Sequence, residues 1–506
     1  MRRFVLAGSA FTLALAAACS SPSDSGDPAP LAPLPSATPT TEARLVPSHA
    51  VDIAASRNPQ NPALLDAMLA EGYGAFTVAG GEAVEGRNLD GTTAAPMPAG
   101  AVRLARFVHL ADTQLADDES PARAAKFDNP TLGSGAYRPQ EAFGCIMLRA
   151  AVRTINAIHR KDSLDVVILG GDNADNGQSN EVDWFLNVLD GSSRVHCDSG
   201  DDNDPVAGPE NDPKDPLASE GLLVPWRWVT GNHDILNQGT FRTSINPDEP
   251  LGTLASTGTR DWSLAGGPVR SGDFVAADPS RYFLDRKGLM ARVALDGDGH
   301  GLGAEQMTSG RAHYSTDVGA KLRVIALDTA AETGSSEGVL QQKDIDGFLK
   351  PALEAAKVAG KLVIITSHHA SGSLTDGSET GGTKQSDAVT TEDFQALLAS
   401  YPNVIMHLAG HSHVHAVKAI TGTRPYWEVK TSALADFPNQ LKVFELWDTG
   451  EGHIVIRAVT FDFSTVDDPL AAQARAIALT DYTSGYTDDG RGAPASRNVE
   501  LWIAKP

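Results

Sequence analysis

The stretch LDVVILGGDNAD, residues 164–175, decides the fold. Residues 164–169 form a short, mostly apolar and β-branched run, which suits a strand buried on both faces. The run stops at Gly170 and Gly171, which hand the chain to Asp172. The same grammar recurs along the chain. Residues 102–110 are apolar-rich and end in HLADTQ, with Asp112 and Gln114. Residues 224–229 lead into GNHD, with Asn232, His233 and Asp234; residues 361–366 lead into TSHH, with His368 and His369. Residues 404–408 lead into AGHSH, with His411 and His413, and LRVIAL at 322–327 ends before Asp328. Between these runs, residues 139–159, 181–189, 344–359 and 391–400 have apolar positions at helical spacing. Strand, polar loop and helix in alternation predict an α/β fold with a mostly parallel or mixed sheet. In such sheets ligands sit beyond the carboxyl ends of strands, where all five polar segments fall.

Those segments supply carboxylates, amide oxygens and imidazoles, a donor set for two hard-to-borderline cations. Their order and spacing resemble the calcineurin-like metallophosphoesterase superfamily, whose pattern is DxH, GDxxD, GNH(D/E), an isolated His after a strand, and GHxH. The resemblance spans residues 101 to about 440. It implies a four-layer α/β/β/α sandwich with mixed sheets and ligands on the loops at strand C-termini. It implies two metal ions (Mn, Fe or Zn) bridged by Asp172, with Asp112, Gln114 and His413 at the first and Asn232, His368 and His411 at the second. His233 then stabilises or protonates the leaving oxygen, with Asp234 orienting it. The reaction implied is hydrolysis of phosphate mono- or diesters by a metal-activated hydroxide.

Two departures from the family pattern stand out. Gln114 occupies the usual His position of the first motif. It ligates through a neutral amide oxygen, holds a ligating water, or leaves the first metal loosely bound; a two-metal site with a weaker or different first metal is expected. Asp175 stands where purple acid phosphatases carry a Tyr, so no purple colour is expected. His369 reads as a neighbour of the ligand, His109 as a strand residue, and His415 as a rim or core residue. His196, His300 and His313 read as surface or loop residues. The sequence shows no GxSxG elbow after a strand, no P-loop and no dinucleotide fingerprint.

The formal net charge of −23 over 506 residues argues against a nucleic-acid partner, since such binding relies on Lys and Arg. A small phosphate ester is the expected partner. A phosphodiesterase acting on lipids or nucleic acid, or a non-catalytic surface lipoprotein keeping the fold, are the alternative readings. The N-terminus carries Arg2, Arg3, an apolar run over 4–18 and LAAACSS, which resembles a lipobox. Residues 1–19 therefore read as a signal peptide with Cys19 as the lipidated residue, placing the protein on the cell envelope. Residues 20–48 read as a disordered Ser/Pro/Thr-rich tether, 49–100 as an accessory region, and 101–460 as the catalytic domain. Insertions fall at about 190–222 and 235–310, and 461–506 form a C-terminal extension. Cys145 and Cys197 either pair, as exported cysteines often do, or stay as two buried thiols. Nothing in the sequence fixes the oligomeric state.

Overall fold

The computed structural model describes residues 28–54, 56–128, 135–255, 258–260, 269–270 and 272–506. The signal peptide and Cys19 lie outside the described residues. Thirteen strands build the two main sheets: β1 (Glu85–Asn88), β2 (Val102–Leu110), β3 (Val166–Leu169), β4 (Trp226–Arg227), β5 (Tyr314–Val318), β6 (Leu322–Leu327), β7 (Leu362–Ser367), β8 (Val404–Ala409), β9 (Ala416–Ile420), β10 (Tyr426–Lys430), β11 (Gln440–Asp448), β12 (His453–Asp462) and β13 (Val499–Ala504). One sheet runs β1-β13-β12-β11-β2-β3-β4 and the other β5-β6-β7-β8-β10-β9. The strands that carry site residues run parallel to one another within each sheet: β2, β3 and β4 in the first, and β6, β7, β8 and β10 in the second.

Period-two alternation sorts the side chains into layers. From β2 and β3, Ala105, Phe107, Val166 and Ile168 point into one core with Val324, Ile325, Ile364 and Ile365 of the second sheet. Phe107 stacks on Phe444 there, with ring centroids 5.1 Å apart. The alternate residues Val108, Leu110, Val167 and Leu169 join a second core with helices α1 (Gly144–Lys161) and α2 (Ser179–Asp190). The far face of the second sheet is covered by Leu353 and Ala356 of α3 (Lys350–Val358) and by Phe394 and Leu398 of α4 (Thr391–Leu398). The layers are thus helix, sheet, sheet, helix, in a mixed α/β fold.

Strand β4 is shorter than the expected 224–229. Pro225 has no N–H to give to a ladder, and the Trp228 N–H turns away to the His300 carbonyl at 2.9 Å. The expected tether is held on the domain from residue 28 onward: Leu34 and Ala37 are buried, Arg153 donates to the Ala32 carbonyl (2.9 Å), and Thr40 N–H donates to the Thr460 carbonyl (2.9 Å). Backbone pairing secures a stretch too poor in apolar side chains to fold alone. The C-terminal extension, residues 461–506, packs back on the domain. Helix α5 (Pro469–Thr483) packs on α1, and β13 inserts between β12 and the accessory region's β1. Among the described residues no helix is long and apolar enough to cross a membrane.

Cys145, at the start of α1, is joined to Cys197 in a disulfide that closes a loop of 52 residues. The pairing outcome is the one realised. Loop-closure entropy of that length corresponds to about 4 kcal/mol. Reduction, or the Cys145→Ala/Cys197→Ala double variant, is expected to lower the urea midpoint accordingly.

Candidate metal centre

The five polar segments meet at one edge of the sandwich because their strands are parallel and end together. Backbone bonds stitch the loops: Asp112 N–H to the Gly171 carbonyl (3.1 Å), Gln114 N–H to the Asp172 carbonyl (2.8 Å), and Gly410 N–H to the His368 carbonyl (2.9 Å). Asp112, Gln114, Asp172, His411 and His413 all have positive φ, between 40° and 68°. Non-glycine residues seldom take that conformation, and they concentrate at functional sites. Small neighbours allow the crowding. A Cβ on Gly231 would lie 2.1 Å from Asp172 Oδ1, and one on Gly410 would lie 2.5 Å from Asp112 Oδ2.

Asp112, Asp172 and His368 are all fully buried, and their donor atoms lie within 4.8 Å of one another. His368 Nδ1 bonds the Gly170 carbonyl at 2.7 Å, so its Nε2 is left bare, 3.0 Å from Asp172 Oδ2. The His413 ring is held the same way. Its Nδ1 bonds Asp436 Oδ2 at 2.6 Å, and its Nε2 stands 3.4 Å from Asp112 Oδ1. A carboxylate or carbonyl on one ring nitrogen, with the other left free, is the arrangement that metal-ligating histidines use. The Asn232 amide donates to the Gly239 carbonyl at 2.9 Å, which turns its Oδ1 away from that partner. Asn232 Oδ1, Gln114 Oε1 and His368 Nε2 are buried without a hydrogen-bond partner. Leaving three such atoms orphaned costs free energy unless something else accepts them. The oxygen and nitrogen donors fit a borderline dication. The field agrees. Burial opposes charge on His413 and His368, yet the carboxylates Asp112 and Asp172 raise their pKa values to about 10 and about 9. The residues present therefore fit a metal pair.

His233 lines the same cleft, which has a volume of roughly 390 Å³. Its backbone N–H donates to Asp172 Oδ1 at 2.9 Å, and its Nδ1 bonds the Asp175 carbonyl at 2.7 Å and lies 3.3 Å from Asp175 Oδ1. Asp175, not Asp234, thus orients the ring. Asp234 faces the other way. It accepts N–H groups from Gly231 (2.7 Å), Asn173 (2.9 Å) and Ala174 (3.0 Å), and so clamps the Asp172 loop to the Asn232 loop. The Asn173 side-chain amide also donates to Oδ2 at 3.1 Å, so four donors occupy the acceptor positions of this carboxylate and none is left to steer an imidazole. His369 spends both nitrogens, on Thr329 (2.8 Å) and the Ser336 carbonyl (2.9 Å). His411 sits beside it, with ring centroids 4.4 Å apart, and its pKa lies well below the usual value because of burial and the neighbouring imidazoles. His109 bonds Thr431 and His415 bonds Gln440 and Ser432, both inside the core.

Several residues that serve the site carry no motif. Arg138 is buried between Asp436 (2.7 Å) and Asp175 (3.5 Å), and so joins the carboxylates behind His413 and His233. Arg123 binds Asp175 and Glu141 from the opposite side. Asp175 was open to reading as the second Asp of GDxxD, whereas Asp436 and Arg138 become partners only through the fold. Gln238 and Thr240, at the start of the 235–310 insertion, form one wall of the cleft, and residues 485–490 of the tail form another.

Against known proteins, the family model for calcineurin-like phosphoesterases matches residues 105–415. No curated protein matches. Among solved structures, a dimetal phosphatase from Danio rerio is 14% identical, with a TM-score of 0.40, over 72% of this chain and 100% of that one. The sulfate thiohydrolase SoxB of Thermus thermophilus, in complex with glycerol, is 14% identical, with a TM-score of 0.32, over 77% of this chain and 61% of that one. GAP50, the anchor in the inner membrane complex of Plasmodium, is 13% identical, with a TM-score of 0.29, over 74% of this chain and 95% of that one.

Proposed function

Because the chain belongs to the calcineurin-like phosphoesterase family, and is by that membership a metal-dependent hydrolase of phosphate esters, we propose that it is an exported dinuclear enzyme acting on small phosphate mono- or diesters. The observation that carries this reading is the set of three orphaned donor atoms, on Gln114, Asn232 and His368, beside the paired carboxylates Asp112 and Asp172. Asp112, Gln114, Asp172 and His413 would hold one cation; Asp172, Asn232, His368 and His411 would hold the other. When bound, the cations supply positive charge to the phosphoryl oxygens and acidify a water. Asp436 and Gly170 fix the His413 and His368 tautomers through their Nδ1 atoms. His233 presents its ring to the cleft for the developing charge on the leaving oxygen. The cleft rim includes Tyr486, Asp488 and Asp489. Its acidity disfavours a polyanion and so supports a small ester over nucleic acid. The Cys145–Cys197 disulfide supports an oxidising, extracytoplasmic location, and the lipobox-like LAAACSS supports a lipid on Cys19.

The test is metal analysis of residues 20–506, paired with hydrolysis of p-nitrophenyl phosphate and bis-p-nitrophenyl phosphate in added Mn. About two equivalents of metal with turnover is the expected outcome, and the preferred ester sets the substrate class. Folded protein with no metal and no turnover would leave a binding protein instead. A companion prediction concerns Gln114. Its backbone already has φ 40°, a region that His tolerates better than most residues. Gln114→His is expected to lower the Mn concentration for half-maximal activity roughly tenfold, since imidazole replaces a neutral amide oxygen. No change would mean that position 114 does not touch the metal.

A further inference from the structure

At the opposite end of β4 from Asn232, a second group of ligand-type side chains stands apart from the centre. The ring of His300 lies flat on Trp226, with centroids 3.3 Å apart and planes 8° off parallel. His300 is 3% exposed, and neither ring nitrogen has a hydrogen-bond partner. Its Nε2 points towards Asp190 Oδ2, 3.8 Å away, at the last residue of α2. Asp296 completes the group, and one donor atom each from Asp190, Asp296 and His300 lie within 4.8 Å of one another. Donors held about 2.0–2.2 Å from a zinc ion stand some 3–4 Å from each other, so the spacing needs only small adjustment.

The charges around the group are unbalanced. The Asp190 and Asp296 carboxylates lie against one another, and burial together with that contact pushes the Asp190 carboxyl up to about 7. Trp226 Nε1 donates to Asp190 Oδ1 at 2.9 Å, which leaves Oδ2 for the cluster. The neighbouring cation, Arg227, is turned to Asp298 at 2.9 Å, which itself lies 3.3 Å from His300 Nδ1. Burial keeps the imidazole neutral, as a ligand must be. The carboxyl end of α2 adds its own negative partial charge.

We propose that Asp190, Asp296 and His300 form a mononuclear site for a divalent cation of the zinc or manganese class, separate from the phosphoesterase centre. One imidazole and two carboxylates select such an ion over calcium, which takes oxygen ligands. The site would pin the loop around His300 to α2 and to the root of β4. That role is structural, and it does not depend on the assignment of the centre.

The experiment is equilibrium dialysis of the full chain, stripped with chelator, against Zn²⁺, for wild type, His300→Gln and Asp296→Asn. Each variant is expected to bind one equivalent fewer than wild type. Zn²⁺ should raise the Tm of the variants less than that of wild type, and turnover should stay within about twofold because the two groups share no residue. Equal stoichiometry in wild type and in a variant folded by circular dichroism would overturn the proposal. Should His300→Gln fail to fold, Asp296→Asn, at a half-buried loop position, carries the test alone. Loss of turnover in wild type with the one-equivalent difference intact would count against the proposed function and not against this site.

Discussion

Asp172→Asn is expected to bring phosphoester hydrolysis down to background and to lower bound metal, while leaving the fold in place. The carboxylate is 1% exposed and uses both oxygens: Oδ1 accepts the His233 N–H at 2.9 Å, and Oδ2 faces His368 Nε2 at 3.0 Å. Burial pushes its pKa up, but the imidazoles of His368 and His233 outweigh that and hold it well below the usual carboxylate range. It is therefore a committed anion at any working pH. An amide offers one acceptor and one donor in the same volume. If the amide nitrogen faces His233 N–H, two donors collide; if it faces His368, the bare Nε2 becomes its acceptor and is lost as a ligand. Either way the anion that would be shared by two cations is lost, and nothing would offset their mutual repulsion. The stripped protein supplies the control. Without metal, Asp172 is paired with the His368 imidazole at 3.0 Å, so the amide removes a buried ion pair and the Tm of the metal-free variant should fall below that of wild type while its circular dichroism stays native. Two equivalents of metal and a tenth or more of wild-type turnover in the variant would refute the bridging role.

Parts of this architecture were legible because single residues had only one use. The 164–169 run has room for neither a helix nor a surface, and its Gly-Gly-Asp exit marks a strand end. The motifs were legible because each lies next to its strand, and the fold needs only parallel strands to bring them together. What escaped the sequence depends on contacts across long separations. Asp436 reaches His413 and Arg138 reaches Asp436 across 298 residues, through no local pattern. The docking of residues 28–48 rests on backbone pairing, which composition does not record. Asp234 misled for a related reason. Adjacency in sequence to His233 suggested partnership, but on a tight turn consecutive side chains diverge, and Asp234 turned to the backbone N–H groups beneath it.

His233→Ala is expected to cut kcat by about 10²–10³-fold while leaving metal content unchanged, the range that a lost general acid or charge stabiliser accounts for. The separation of the two effects follows from which atoms do what. The contact of His233 with Asp172 is made by its backbone N–H, which alanine keeps. Its ring is anchored instead on Asp175, through Nδ1 to the carbonyl at 2.7 Å, and faces the cleft. Burial opposes its charge, but Asp172 and Asp175 raise its pKa above the ordinary imidazole value, so it holds a proton through neutral pH better than a free imidazole does. A proton donor matters most when the leaving group is a poor one. The loss should therefore be larger for an alkyl phosphate than for p-nitrophenyl phosphate, whose leaving phenolate needs little help. Asp175→Asn should reproduce part of the kcat loss with KM little changed, because it keeps the carbonyl anchor but removes the carboxylate 3.3 Å from Nδ1 that helps the ring hold its proton. If the alanine variant lost metal in step with activity, His233 would belong to the ligand sphere. If the loss were equal for both esters, the ring would act by stabilising phosphoryl charge and not by protonating the leaving oxygen.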